Sequence, residues 1–473
     1  MKKILLISCF LLIAATGFSQ QYSLYNTGTL FDSFENPSQR TFIPDTSKKY
    51  AFNFLIPNFD GNFLLTGNAQ STLLSRAFNS KYDNSALQIG SGALNRAKAN
   101  ASAYELMFKM FASLNGYEEL GFFLETKSEG RGVFTDETIG LFNGPSTFPN
   151  NIYDNVLNNH FYNQIYNDLG FTYREKITNQ VAVGLKVGFL MGIDYTKLDI
   201  YESHLSFDRL NDAATISLRG KYQYSKGPGN FDQRSFFPTS RSPGLQITAG
   251  LSYTTDENIT FQGNLKDLGF IHWYSNSVVN YFDNTTTITG LSSAKREKNI
   301  YGSTYDLIKK GYQYTSFNSS TNGRAELSAT KTYYLSDDNT FKYIPTLIAA
   351  KDLFYDGFAG AMVNRFQYKS ISGGLIASYD DLNLFNIGLQ LMYKPNNMEI
   401  FLGSDRLLNT VTFAGSTGKG STYTNGSYTG ADIYFGFALK FGPVVEHPLN
   451  ANTIPDGNKG FLARLWNRIF KDY

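Results

Sequence analysis

Residues 431–441 read Ala-Asp-Ile-Tyr-Phe-Gly-Phe-Ala-Leu-Lys-Phe, and the alternation is strict. Ile433, Phe435, Phe437, Leu439 and Phe441 share one parity; Asp432, Tyr434, Gly436, Ala438 and Lys440 share the other. A β-strand sends successive side chains to opposite faces, so this segment has one large apolar face and one small, polar or charged face. The pattern recurs. Val181, Val183, Leu185, Val187, Phe189, Met191 and Ile193 alternate with Ala182, Gly184, Lys186, Gly188, Gly192 and Asp194, interrupted at Leu190. Leu245 to Tyr253 and Phe385 to Tyr393 repeat it, and Tyr104, Leu106, Phe108, Met110, Ala112 and Leu114 follow it more loosely. Lys186 and Lys440 would be unpaired charges in a dry sandwich core, whereas a polar lumen accommodates them.

A soluble sheet can also alternate, so the compartment matters. Lys2 and Lys3 precede an apolar run from Ile4 to Ala15, and Gly17-Phe18-Ser19 leads into Gln20. That arrangement predicts a secretory signal cut after Ser19, its apolar core too short to cross a bilayer as a helix. Cys9 is the only cysteine, which leaves the mature chain without disulfides or cysteine metal sites. Net charge is +2 and spread along the chain, which argues against a nucleic-acid partner. Thirty-two Tyr and 40 Phe suit strands and the aromatic girdles of a membrane barrel. Together these features predict an all-β fold: a closed, antiparallel, up-and-down transmembrane barrel in the outer membrane, in contact with its lipid.

Connections sharpen the topology. Asn115-Gly116 suits a type I′ hairpin, and tight turns are expected at 176–179, 255–258, 336–339 and 394–397. Long polar stretches lie at 129–164, 268–322 and 405–430. Tight turns at one end and long loops at the other predict about 14 to 16 strands, with turns and C-terminus in the periplasm. The chain then divides into a signal (1–19), an N-terminal periplasmic or lumenal segment (20–48), the barrel (49–442) and a periplasmic tail (443–473). Residues 68–98 suggest a short helix in a loop or hatch. In the tail, Phe461, Leu462, Leu465, Trp466, Ile469 and Phe470 recur at helical spacing opposite Arg464, Arg468 and Lys471. That predicts an amphipathic helix which packs at the barrel mouth or membrane surface, or docks a periplasmic partner.

No catalytic constellation emerges, and no cofactor or metal is expected. Gly415 to Ser421 resembles a phosphate-binding loop but lacks Gly at Phe413 and Ser or Thr at Gly420, so a flexible loop tip is the better reading. His160, His204, His272 and His447 are far apart and lack zinc spacing. Glu118-Glu119 and Asp337-Asp338 fall in or beside turns, where acidic residues are ordinary.

Three local features go beyond barrel physics. Phe34-Glu35-Asn36-Pro37-Ser38 looks like the Asn-Pro-Ala signature that opens many barrels of Bacteroidetes-type outer membranes, with Ser38 in place of Ala. Lys266 to Trp273, Lys-Asp-Leu-Gly-Phe-Ile-His-Trp, and Phe401 to Arg406 resemble blocks of an uncharacterised barrel family of this type. That family looks related to FadL-type fatty-acid channels and to the PorV and PorP/SprF barrels of type IX secretion and gliding. The resemblance implies a barrel with an N-terminal segment near or inside its lumen, and implies no activity. Asn36, Pro37, Asp267, Gly269 and Trp273 are expected to define the fold rather than bind ligand. Functionally, the sequence suggests an accessory or scaffold subunit of a secretion, gliding or surface assembly, with periplasmic or outer-membrane protein partners. The alternative is a FadL-like channel for a small hydrophobic molecule, for which Phe59, Phe63, Leu64 and Leu65 could line an apolar opening. An exported soluble β-protein or a barrel enzyme is the remaining reading.

Overall fold

The computed structural model describes residues 21–41, 48–111, 117–225, 241–355, 357–419 and 428–444. The signal, the Asn115-Gly116 turn and the amphipathic tail lie outside the described residues.

Alternating side chains become a closed wall of fourteen antiparallel strands. β1 comprises Lys48–Phe52 and Asn58–Thr66, followed by β2 (Leu94–Phe111), β3 (Glu118–Thr135), β4 (His160–Lys176) and β5 (Val181–Asp208). β6 is built from Ala213–Tyr224 and Pro243–Thr254, and β7 from Ile259–Trp273 and Val278–Thr289. β8 gathers Gln313–Tyr314, Phe317–Ser320 and Arg324–Lys331. β9 (Phe341–Asp352), β10 (Phe358–Tyr368), β11 (Ile371–Asp380), β12 (Phe385–Tyr393), β13 (Met398–Ser404) and β14 (Tyr428–Val444) complete the circuit. β14 pairs back onto β1, with Phe59 opposite Phe435 and Tyr50 opposite Phe441, so the sheet has no outer edge. Among the described residues no helix is long and apolar enough to cross a membrane; the strands cross it.

Outward positions such as Leu245, Ile247, Leu327, Leu347, Leu375 and Leu391 are exposed and apolar, while Lys186, Gln246, Gln390 and Lys440 point inward and are buried. Toward the end with the short turns, rings pack face to face, as in Tyr333–Tyr343 and Tyr343–Phe366, forming an aromatic girdle. Leu375→Arg on the lipid face should lower unfolding free energy in bilayers by about 2–4 kcal/mol, against about 0–1 for Ile371→Arg at the strand end. Equal costs, measured by urea unfolding, would refute a graded lipid contact.

Opposite the turns, β5, β6 and β7 run past the membrane wall into a cap with α3 (Asp136–Asn143) and α4 (Arg296–Lys309). Leu205, Ile216, Leu218, Phe282 and Ile300 form part of its apolar core. α2 (Gln70–Asn79) joins this side through an Arg76–Glu297 ion pair at 2.7 Å.

Several sequence expectations are corrected. Register shifts in β5 near Gly192 reverse the parity, so Met191, Ile193 and Tyr195 are buried and Asp194 is not. Beyond that bulge the strand serves the cap instead of the lipid face. A shift at Glu105 likewise turns Tyr104 inward, away from Leu106 and Phe108. The expected loop at 129–164 is shorter, because β3 reaches Thr135 and β4 begins at His160. The long polar stretch expected at 268–322 begins on a strand, since Leu268 to Trp273 lies on β7, and Phe59 to Leu65 lies on β1. Gly415 belongs to helix α5 (Leu407–Lys419), not to a loop tip. Glu119 is buried in the wall, not a solvating turn residue.

Candidate functional site

The lumen is occupied. Gln21–Thr41 enters it as a short 3-10 turn, Tyr22–Leu24, followed by α1, Leu30–Glu35, and a turn through Asn36–Gln39. Thr29 caps α1 by accepting the Asp32 N–H at 3.1 Å, and Asp32 accepts from Thr27 N at 2.8 Å and Gly28 N at 3.2 Å. These local bonds give a six-residue helix its shape; the wall gives it its place.

One face of α1 is apolar. Leu30, Phe31 and Phe34 pack with Tyr104, Met107, Phe123, Met392, Phe401 and Tyr434 of the inner wall. Phe31 meets Tyr104 edge-on, ring centroids 5.6 Å apart. Backbone polar groups of the plug find charged partners from strands all around. Glu399 accepts the Leu30 N–H at 2.7 Å, Lys109 donates to Ser33 O at 3.0 Å, and Arg174 donates to Ser38 O at 2.8 Å. Arg365 donates to Tyr25 O at 3.0 Å, Lys394 to the Thr27 and Gly28 carbonyls, and Lys440 to Thr41 O at 2.7 Å. Asp405 accepts the Tyr22 N–H at 2.9 Å.

Glu35 anchors the centre. It pairs with Lys266 and accepts the Tyr104 hydroxyl at 2.6 Å. Burial opposes its ionised form, yet Lys266, Lys127 and Lys186 outweigh it and hold the carboxyl at about 2. At Asp32 burial outweighs the Thr27 and Gly28 N–H groups and the charges of Arg365 and Lys394, and pushes its carboxyl up to about 6. Behind Glu35, Lys127 binds Asp267 at 2.6 Å and Glu125 at 3.4 Å, and Lys186 binds Glu125 at 3.3 Å.

The motif residues meet here. Asn36 Oδ1 accepts from both Ser38 N and Ser38 Oγ, folding the Asn-Pro-Ser segment into a tight turn. That turn lies against Gly184 and Gly250: a Cβ at Gly184 would fall on the Pro37 carbonyl, and one at Gly250 on Asn36 Oδ1. Asp267 adopts φ 54° at a bulge in β7, a conformation Asp tolerates better than bulkier residues. Gly269 sits opposite Gln246 where β6 and β7 pass closely. Trp273 is apart from the plug, higher in the lumen, donating from Nε1 to Ser319 Oγ at 2.8 Å. The tail residues Phe461, Arg464, Leu465, Trp466, Arg468, Ile469 and Phe470 lie outside the described residues.

Sequence reading missed Glu35 as the central anchor, along with Lys109, Arg174 and Glu399. For Lys109, Arg174 and Glu399 the signal was parity: each is a charge on the inward positions of a strand, as Glu399 is between Met398 and Ile400, whereas Glu35 lies on helix α1 and carried none.

Two cavities flank the plug, about 40 and 70 Å³. Each has room for one or two waters, at ~30 Å³ per water, and both are lined by charged groups such as Lys127, Arg324, Asp380 and Arg406. A larger cavity of about 300 Å³ lies in the cap, lined by Leu141, Leu198, Ile200, Ile216, Ile300 and Tyr305 among others. His160 and His204 lie beside Asp199 and Asp154 on the exposed strands of the cap, at 3.1 and 2.6 Å. Among the described residues no group of three metal-ligating side chains occurs.

A family model described as "Family of unknown function (DUF5723)" matches residues 42–405. Comparison with curated proteins gives no match. Among solved structures, the chain is similar to the TodX deltaS2S3 mutant monoaromatic hydrocarbon channel, at 8% identity over 90% of this chain and 95% of that chain, TM-score 0.42. It is also similar to a Pseudomonas aeruginosa FadL homologue, at 11% identity over 89% and 95%, TM-score 0.41. A third is the P. putida toluene transporter TodX, at 7% identity over 91% and 96%, TM-score 0.38. The barrel assignment rests on the closed strand ladder itself.

Proposed function

We propose that this chain, which belongs to the DUF5723 family of unknown function, is a non-catalytic outer-membrane barrel closed by its own N-terminal segment. It serves as an accessory or scaffold subunit of an envelope secretion, gliding or surface assembly. One observation carries the reading: the lumen is filled by Gln21–Thr41, whose backbone is held by side chains from β3, β4, β10, β13 and β14 as well as β2. A conduit would need that lattice dismantled at every passage. The signal ending at Ser19 supports export, and the sequence resemblance to the PorV and PorP/SprF barrels supports membership of a larger assembly. The basic amphipathic tail supports a periplasmic contact.

Planar bilayers containing the purified full chain should be electrically silent. Deleting residues 460–473 should leave the barrel folded and release a periplasmic subunit that co-purifies with the full chain. A steady open conductance would overturn the closed-barrel reading, and an unchanged set of co-purifying subunits would overturn the tail contact.

A second reading, passage of a small hydrophobic molecule, is favoured by the apolar cavity of the cap. Uptake of such a compound by cells, lost when this chain is deleted, would replace the first reading.

A further inference from the structure

One stretch of the lipid-facing wall is hollow. From β8 to β11 the outward positions include Ala329, Ala349, Gly360 and Ala377, whereas β12 carries Phe385, Ile387, Leu389 and Leu391 on the same side. Ala349 lies opposite Gly360, Ala329 opposite Leu347, and Ala377 opposite Met362, so the small residues adjoin across four strands. They floor a groove of about 640 Å³ whose ridges include Leu327 and Phe385, 66% and 63% exposed. A Cβ at Gly360 would meet nothing nearer than 3.9 Å, so the floor is open.

At the lower end of the groove the wall turns polar. Lys331 follows Ala329 by two residues on β8, and Asn364 follows Met362 by two on β10, so both point outward. Thr330 lies opposite Thr346 and Asn364 opposite Pro345. Lys331 and Asn364 therefore flank Pro345, about 10 Å apart across two strand spacings of ~4.8 Å. They sit on the membrane side of the girdle rings Tyr333, Tyr343 and Phe366. Tyr343 donates its hydroxyl to Asn364 Oδ1 at 2.6 Å, and among the described residues Asn364 Nδ2 has no acceptor. Lys331 likewise has no ion-pair partner among the described residues; its Nζ lies 5.3 Å from the centre of the Tyr333 ring. Alkyl tails accept no hydrogen bond, so donors at this depth are costly unless an acceptor comes to them.

We infer that this groove holds a phospholipid, with one acyl chain over Ala349 and Gly360 and the phosphate accepting from Lys331 Nζ and Asn364 Nδ2. Donors without a neighbouring carboxylate call for an anion. Their height beside the girdle is that of a lipid head group, and the apolar hollow directly above calls for hydrocarbon. A free phosphate would satisfy the donors and leave the hollow unfilled; a hydrocarbon alone would do the reverse. The head group lies toward the short turns, which places the lipid in the leaflet on that side. Neither an open nor a closed lumen is required, so the site is independent of the accessory reading.

Native mass spectrometry of the full chain tests this, after mixing in detergent with phosphatidylglycerol or with the diacylglycerol of the same chains. One phosphatidylglycerol should stay bound under conditions that strip diacylglycerol. Lys331→Gln should weaken its retention about fivefold, and Asn364→Leu should act in the same direction. Gly360→Leu fills the hollow without striking the wall, and should displace the lipid although both donors remain. Variants are compared once each shows the heat-dependent SDS shift of a folded barrel. Equal retention of the two lipids would overturn the proposal, as would phosphatidylglycerol binding unchanged in both Lys331→Gln and Gly360→Leu. Binding that Gly360→Leu leaves intact and inorganic phosphate competes away would assign the donors to a free anion, and would overturn the lipid site equally.

Discussion

Gly184→Leu is expected to convert a silent barrel into one that flickers open. The Asn-Pro-Ser turn of the plug lies directly on β5, where any Cβ would meet the Pro37 carbonyl, which is backbone and cannot rotate away. Overpacking a tight contact costs about 1–3 kcal/mol, and each 1.4 kcal/mol changes a population tenfold. The larger side chain also points into the lumen, so no room opens on the lipid side. Gly250→Val, which would strike Asn36 on the neighbouring strand β6, should act in the same direction and add to it. Single-channel recording should show brief openings in each variant and longer ones in the double variant. Deleting Gln21–Thr41 sets the upper limit, a continuously conducting lumen lined by Lys109, Arg174, Lys186 and Glu399. If the double variant stays silent while the deletion conducts, the turn is not what seats the plug. If the deletion is silent too, the lumen is closed elsewhere.

The wall was legible because one rule, alternation, operates on every residue of a strand and has a single exception type. Where β14 runs without a bulge, Ile433 to Phe441 fall on the faces that parity assigns them. Where a bulge intervenes, as at Glu105 and Gly192, parity reverses and a single alternation cannot hold on both sides of it. Nothing local marks either bulge, because the extra residue has no register partner and ordinary residues such as Glu105 and Ile193 fill that role. The plug shows the complementary difficulty. Asn36, Pro37 and Ser38 drew notice as a motif, but their seat consists of Gly184 and Gly250, more than a hundred residues away. A glycine is kept there for what approaches it, and the approaching segment is not its sequence neighbour. Charges such as Lys109 and Arg174 carried a visible sign, inward parity, but the carbonyls they hold have no sequence signature. The cap was least legible, since its core is built from strand extensions whose alternation looks identical to that of the membrane wall below.

Asp267→Ala should be the most destabilising single change in the wall. The carboxylate binds Lys127 at 2.6 Å, both groups being almost wholly buried. Its backbone amide bonds Thr248 and its carbonyl accepts from Thr321. Removing one partner of a buried pair leaves the other charge uncompensated, at about 3–5 kcal/mol. Lys127 would keep only Glu125 at 3.4 Å, which it shares with Lys186. Alanine must also hold φ 54°, a left-handed conformation costing a further ~1 kcal/mol. Asp267→Asn keeps that conformation and much of the hydrogen bonding, so it should cost clearly less than alanine. Combining it with Lys127→Met removes both charges and should recover most of the loss, since replacing a whole buried pair is often near neutral. Urea unfolding in lipid bilayers gives the comparison directly. Equal losses for alanine and asparagine would mean that charge alone matters and the bulge is unstrained. A loss below ~1 kcal/mol for alanine would place this network in solvent contact, and the plug would then be held by its apolar face alone.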